Sequence, residues 1–219
     1  MSNWQEQKLL DFYHTNFEFT AEQMNEYVKP LELVPGDIFI DFGCGNGALL
    51  DYVAPLVGRA VGVDISDLQL SVAARNLIRH NNVELIKGNF LESNFTGNMF
   101  TKGSARKTLH HLTDDEKYRF FEKHGKYFAR DALFVIEDAV YDFAIEDLQE
   151  NMERVFSEAR EYYGSRWEAI RDGFGTMLSE EYPTDFATFE KALRFGGFEV
   201  IDKQQRTCFY ATILARRSA

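Results

Sequence analysis

Apolar residues recur along this chain with two periods, and the switches between them mark its elements. Ile38-Phe39-Ile40-Asp41-Phe42 is a short apolar run that reads as a buried strand. Gly43, Gly45 and Gly47 follow at alternate positions, and Leu49 to Val57 resumes at helical spacing, closed by Pro55 and Gly58. Further strands are expected at 60–64, 83–87, 98–103 and 132–136. Helices fall between them. Thr20-Ala21-Glu22-Gln23 and Thr113-Asp114-Asp115-Glu116 have capping-box form, and Ser66 caps a third helix. Thr184 to Phe195 reads as a last crossover helix, ended by Gly196-Gly197. Phe198-Glu199-Val200-Ile201 and Cys208 to Leu214 then form an antiparallel pair. Strands alternating with helices predict an α/β fold around a mostly parallel sheet.

Two stretches exceed that minimum. Residues 1–19 carry Trp4, Leu9, Leu10, Phe12, Tyr13, Phe17 and Phe19, too apolar for a free tail. Between the fifth strand and the closing hairpin lies more chain than a crossover needs. There Leu148, Met152, Val155, Phe156, Ala159 and Tyr163 fall on one helical face, and Trp167 to Leu178 suggests a second, glycine-interrupted helix. The expected organisation is one domain over residues 1–219. Residues 1–35 form an N-terminal helical lid segment and 141–183 a helical cap, with a dimer surface as the alternative use.

Composition narrows the partners. The net charge is -11, against a nucleic-acid or anionic-membrane partner, since phosphate binding needs clustered Lys and Arg. Lys102, Arg106 and Lys107 form a small basic cluster that reads as a solvated loop. No run approaches the ~20 apolar residues that span a bilayer. With two cysteines and no signal peptide, the chain is expected to be cytoplasmic with reduced thiols, as a monomer or homodimer. No metal is expected: His110 and His111 are adjacent, and on a helix they diverge by ~100°.

The candidate chemistry begins at the glycine turn. Gly43-x-Gly45-x-x-Ala48 fits a dinucleotide fingerprint, which keeps an NAD-dependent oxidoreductase open as an alternative. No Tyr-x-x-x-Lys pair supports it. Asp41 ahead of the glycines and Gly47 at the third alternate position separate the readings. The segment resembles motif I of the class I S-adenosylmethionine (SAM)-dependent methyltransferases, an acidic residue followed by x-G-x-G-x-G. Asp64 ends the second strand, beside the turn in a parallel sheet, where a carboxylate accepts both hydroxyls of an unmodified ribose. Leu109-His110-His111-Leu112 again looks like the family.

The resemblance covers roughly residues 36–138 and 184–215. It implies a Rossmann-like sheet of seven mostly parallel strands with an antiparallel C-terminal hairpin. It places SAM across the carboxyl ends of strands one to four. Asp41, Gly43, Cys44, Gly45, Asn46 and Gly47 would lie along the methionine part and Asp64 at the ribose. Ile65 and Phe90 would flank the adenine and Asn89 bind its edge, where relatives usually carry an acid. Methyl transfer to a small-molecule acceptor, through an oxygen, nitrogen or sulfur nucleophile, is the expected activity. A SAM-binding protein without catalysis is the other alternative. His110 or His111 is the candidate proton acceptor, and Tyr13, Tyr141, Tyr163 and Tyr182 are candidates for the acceptor pocket.

Overall fold

A computed structural model of the protein describes residues 19–96 and 99–218. Its main sheet has seven strands in the order β3-β2-β1-β4-β5-β9-β8. These are β1 (Ile38–Phe42), β2 (Arg59–Asp64), β3 (Val83–Lys87), β4 (Phe100–Arg106), β5 (Phe128–Asp138), β8 (Phe198–Thr207) and β9 (Tyr210–Arg217). The first five pair in parallel, and β9 runs antiparallel to both β5 and β8. The expected fold class is the one observed.

Helices α1 (Ala21–Val28), α2 (Ala48–Val53) and α3 (Asp67–Asn76) bury one face of the sheet. Helices α4 (Asp114–Gly125) and α7 (Phe186–Phe195) bury the other. Period-two alternation in β1 splits its side chains between them: Phe39 joins the first core, Ile40 and Phe42 the second. Asp41 shares the parity of Phe39, so its side chain leaves the sheet on the α1–α3 face. The caps read from sequence are present. Thr20 and Thr113 close reciprocal capping boxes, and Ser66 accepts from the Gln69 amide.

Boundaries moved where tertiary pairing outweighed local pattern. Helix α2 ends at Val53 because Pro55 continues the chain as a 3₁₀ turn, Ala54–Leu56. The Ala129-Arg130-Asp131 segment, outside the strand expected at 132–136, lies inside β5 as a bulge: Phe128 pairs with Phe100, Leu133 with Lys102, and Asp131 takes a left-handed φ of 62°. Strands β8 and β9 are longer than expected because they pair with each other along most of their length. The basic cluster is not a solvated loop. Lys102 lies on β4 with its ammonium on the Leu31 carbonyl, and Arg106 pairs with Glu137 at 2.7 Å.

The insertion holds β6 (Val140–Tyr141), α5 (Leu148–Tyr163), α6 (Trp167–Glu180) and β7 (Thr184–Asp185). Helix α6 runs unbroken through Gly173 and Gly175. Both helices pack their apolar faces on Tyr141 and on Cys208, Phe209 and Tyr210 at the β8–β9 turn, making a third core. That turn stands at the carboxyl end of β5, where Asp138 pairs with Ala211. The insertion therefore sits off the carboxyl edge of the sheet. No helix among the described residues is long and apolar enough to cross a membrane.

Candidate active site

The ends of β1, β2, β4 and β5 lie side by side at one edge, and the residues after each build the site. Asp41 is registered between Gly62 of β2 and Ser104 of β4. It is 3% exposed, and its Oδ1 accepts the Ser104 hydroxyl at 2.5 Å. Burial pushes its carboxyl up to about 7, against the Ser104 bond and with the charge of Asp64. In the turn, Gly43, Gly45 and Gly47 all have positive φ, of 74°, 52° and 78°. A Cβ on Gly43 would stand 1.9 Å from Oγ1 of Thr108, so only glycine lets the turn meet the loop after β4.

Gly45 has no such neighbour: a Cβ there would meet nothing closer than the Gln69 side chain at 3.9 Å. Its N–H donates to Oδ2 of Asp64 at 2.8 Å, while Oδ1 accepts the Ser66 N–H at the same distance. Asp64 thereby ties the glycine turn to the start of α3. Burial raises its pKa, opposed by those backbone donors.

The other expected cofactor residues divide. Asn46 shapes the turn by accepting the Ala48 N–H at 3.1 Å. The Cys44 thiol is buried against β2, where a Cβ on Gly62 would come within 2.8 Å of Sγ, so it faces the core. Ile65 is 52% exposed at the sheet edge. The Asn89 side-chain carbonyl accepts the Leu91 N–H at 2.9 Å, which fixes the turn after β3. Phe90 packs edge-on against Phe42 and Phe120, and its carbonyl faces Nε2 of His124 at 2.5 Å. Its ring is partly buried and packs on the edge of the aromatic core.

The tyrosines separate as well. Tyr13 lies outside the described residues. Tyr141 is fully buried in the third core, stacked on Phe143 with ring centroids 4.9 Å apart, so its expected place in an open acceptor pocket is corrected. Tyr163 packs against Trp167 and Phe174. Tyr182 is 49% exposed and is held by its backbone: its N–H donates to the His110 carbonyl at 2.7 Å, and its carbonyl accepts from Lys117 at 2.6 Å.

His110 and His111 close a 3₁₀ turn, Leu109–His111, rather than a regular α-helix, and their rings approach to 4.1 Å between centroids. Nδ1 of His110 meets Oδ1 of Asp138 at 2.5 Å, and its Nε2 lies 3.2 Å from the Glu181 carboxylate. Nδ1 of His111 lies 3.3 Å from the same carboxylate. Asp138 also accepts the N–H groups of Thr108, Leu109 and Ala139. Burial disfavours charge on His110, but Asp138 and Glu181 outweigh it and raise its pKa to about 9. Burial likewise opposes ionisation of Asp138, yet His110 and the backbone donors hold it at about 2. Burial lowers His111, with the charge of His110 adding to the effect. Lys107, just past β4, takes a left-handed φ of 51°, and burial, followed by the charge of Arg106, pushes its ammonium down to about 7.

Asp138, Glu181, Ser104 and Thr108 went unassigned in the sequence. Asp138 carried the signal that picked out Asp64, an acid ending a parallel strand. Glu181 carried none, because only the return of α6 to the sheet brings it to the histidines.

Residues 39–129 match the family model described as a methyltransferase domain. The chain is similar to that family over this stretch. The ribosomal RNA small subunit methyltransferase H of Fervidobacterium nodosum is 33% identical over 73 residues, which is 32% of this chain and 25% of that protein. A cobalt-precorrin-6B C(15)-methyltransferase (decarboxylating) sequence of Archaeoglobus fulgidus is 39% identical over 72 residues, 32% of this chain and 42% of that one. The chain thus matches well under half the length of these relatives. Among solved structures, geranyl diphosphate C-methyltransferase of Streptomyces coelicolor A3(2), in complex with Mg2+, geranyl diphosphate and S-adenosyl-L-homocysteine, superposes with a TM-score of 0.68. It is 14% identical and the match covers 90% of this chain and 79% of that one, a likeness of fold. The matched stretch includes the glycine turn, Asp64, Asn89 and the two histidines, and ends before Asp138 and Glu181.

Proposed function

We propose that this chain transfers a methyl group from SAM to a small-molecule acceptor. The observation that carries the reading is the left-handed glycine turn set between a buried carboxylate, Asp41, and a part-buried one, Asp64, at the ends of neighbouring strands. Asp41 is buried, and among the described residues its hydrogen-bond partner is the neutral Ser104 hydroxyl. A cationic ligand favours its ionised form, and SAM carries cationic amino and sulfonium groups. Asp64 spends part of its roughly four lone-pair positions on backbone donors, which leaves acceptor capacity for ribose hydroxyls. The open side of Gly45 lets the main chain approach the ligand.

Bound SAM supplies a methyl carbon already activated by its sulfonium, so the protein has to align the nucleophile and keep water out. Asp41 and Asp64 fix the donor side. The insertion, packed off the carboxyl edge, serves as the cap that encloses the acceptor. His110 and His111 stand with Glu181 where the insertion returns to that edge, and they act on the acceptor side. The net charge of -11 and the helical insertion favour a small acceptor over RNA. The ribosomal RNA methyltransferase is matched over a stretch too short to carry its acceptor across.

Calorimetric titration with SAM, S-adenosylhomocysteine and NAD tests the cofactor. Saturable binding of the first two is expected; binding of NAD alone overturns the reading. Labelled SAM offered with a panel of small acceptors and with ribosomal RNA then tests the acceptor. Transfer to RNA alone would replace the small molecule. SAM binding with no transfer to any acceptor would favour a binding protein without catalysis.

A further inference from the structure

His110, His111 and Glu181 present one ligand atom each within 4.8 Å of one another, and all three side chains are partly buried. The two histidine-to-carboxylate distances, 3.2 Å to Oε2 and 3.3 Å to Oε1, stand at the long end of hydrogen-bond contacts. Each is also close to the spacing of two ligands on one metal ion. Two ligand atoms on a tetrahedral zinc ion, each bonded at about 2.0–2.1 Å, stand roughly 3.3 Å apart. Two imidazoles and one carboxylate are also the donor set of open zinc sites, which keep a further position for water or substrate.

A second observation comes from behind the cluster. Nδ1 of His110 is turned toward Asp138, a carboxylate 1% exposed and held by three backbone N–H groups. That leaves Nε2 aimed at the cluster centre. A buried carboxylate behind an imidazole fixes its ring and raises its basicity, as the outer partner of a metal-bound histidine does.

We infer that His110 Nε2, His111 Nδ1 and the Glu181 carboxylate form a binding site for a divalent transition metal of the zinc class, with Asp138 positioning His110. Its open coordination positions face the edge assigned to the acceptor, and an acceptor hydroxyl bound there would lose its proton more readily. That last step rests on the methyltransferase reading; metal binding does not. Since Glu181 follows α6, the ion would also tie the insertion to the loop after β4.

Cobalt(II) is the probe, added to metal-free full-length protein and followed by visible absorption. Saturable binding of one ion is expected, with the intense bands of a four- or five-coordinate site. His111→Ala and Glu181→Gln should each weaken it by more than about a hundredfold, beyond the 10–100-fold typical of outer-shell losses. His80→Ala, at a histidine paired with Asp51, should leave it unchanged. Each variant is checked for folding by circular dichroism. X-ray absorption on the zinc-loaded wild type decides independently of any variant: two imidazoles and oxygen at about 2.0–2.1 Å, with no sulfur near 2.3 Å. Absence of saturable cobalt binding, a sulfur shell, or binding untouched by both substitutions overturns the site and leaves an ion-paired clasp. SAM titration of the same samples runs in parallel, so failure of the metal site and failure of the cofactor reading are told apart.

Discussion

Asp41 and Asp64 end neighbouring strands, yet their surroundings give them different roles. Asp64 is a structural anchor as well as a candidate ligand. Asp64→Ala removes the acceptors of the Gly45 and Ser66 amides, and each buried donor left unsatisfied costs roughly 1–3 kcal/mol. The melting temperature should therefore fall, by roughly 2–4 °C per kcal/mol, together with a loss of about one to two decades in SAM affinity. Calorimetry and thermal melts on the same variant check both. An unchanged melting temperature would show that the turn holds without the carboxylate.

Asp41 acts in the opposite direction. Its folded pKa of about 7 lies above the ordinary value of 3.8, so the folded state binds its proton more tightly than the unfolded chain does. Stability from this group is greatest below the unfolded pKa, declines as pH rises from about 4 to 7, and stays reduced above that. Asp41→Asn should flatten that part of the pH–stability curve in urea titrations without ligand, with a difference of at most about 4 kcal/mol at pH 8. The same variant should bind SAM more weakly at pH 8 than the wild type. If Asp41→Asn bound SAM as tightly as the wild type, the carboxylate would have no part in holding the ligand.

At the scale of elements, the insertion is bound to the domain through few, well-buried contacts. The Lys117 ammonium is 1% exposed and donates to the carbonyls of Leu112 and Tyr182, both at 2.6 Å. Lys117→Met keeps the apolar stem but leaves both carbonyls without that donor. A loss of roughly 2–4 kcal/mol is expected in chemical denaturation, with faster hydrogen exchange at the end of α6. Tyr141 gives the complementary test. Its hydroxyl is buried without a hydrogen-bond partner among the described residues. Tyr141→Phe should thus raise stability by about 1 kcal/mol and leave turnover intact, while Tyr141→Ala should cost about 3–5 kcal/mol through the cavity it opens. A large loss of turnover in the folded Phe variant would return Tyr141 to the acceptor site.

For the whole molecule, three cores share one sheet: two on its faces and a third beyond its carboxyl edge, under the insertion. The third is joined to the others through β6, the β8–β9 turn and the contacts of Glu181 and Tyr182. If the insertion is a cap, SAM and acceptor together should slow hydrogen exchange across α5 and α6 while the sedimenting mass stays constant. A doubled mass, with exchange protection following protein concentration instead of ligand, would make it a dimer surface.

The sequence by itself determined the order of the seven strands of the main sheet, the three caps and the glycine turn with Asp41 and Asp64. Each is set by local chemistry: hydrophobic period, the reach of a Ser or Thr side chain to an amide three residues on, and the backbone freedom of glycine. Only the tertiary structure decided the rest. Strand β5 gained its bulge because Phe128 and Leu133 both find partners on β4. Tyr141 was drawn into a core because α5 and α6 had to bury their apolar faces against something. His110 and His111 meet at one carboxylate because the return of α6 brings Glu181 within 3.3 Å of a nitrogen of each ring, although neighbours on a 3₁₀ turn diverge by about 120°. Glu181 reaches them from the far end of the insertion. Contacts between residues so far apart in the chain leave no period or spacing to read, and they exist only once the sheet edge has brought the ends together.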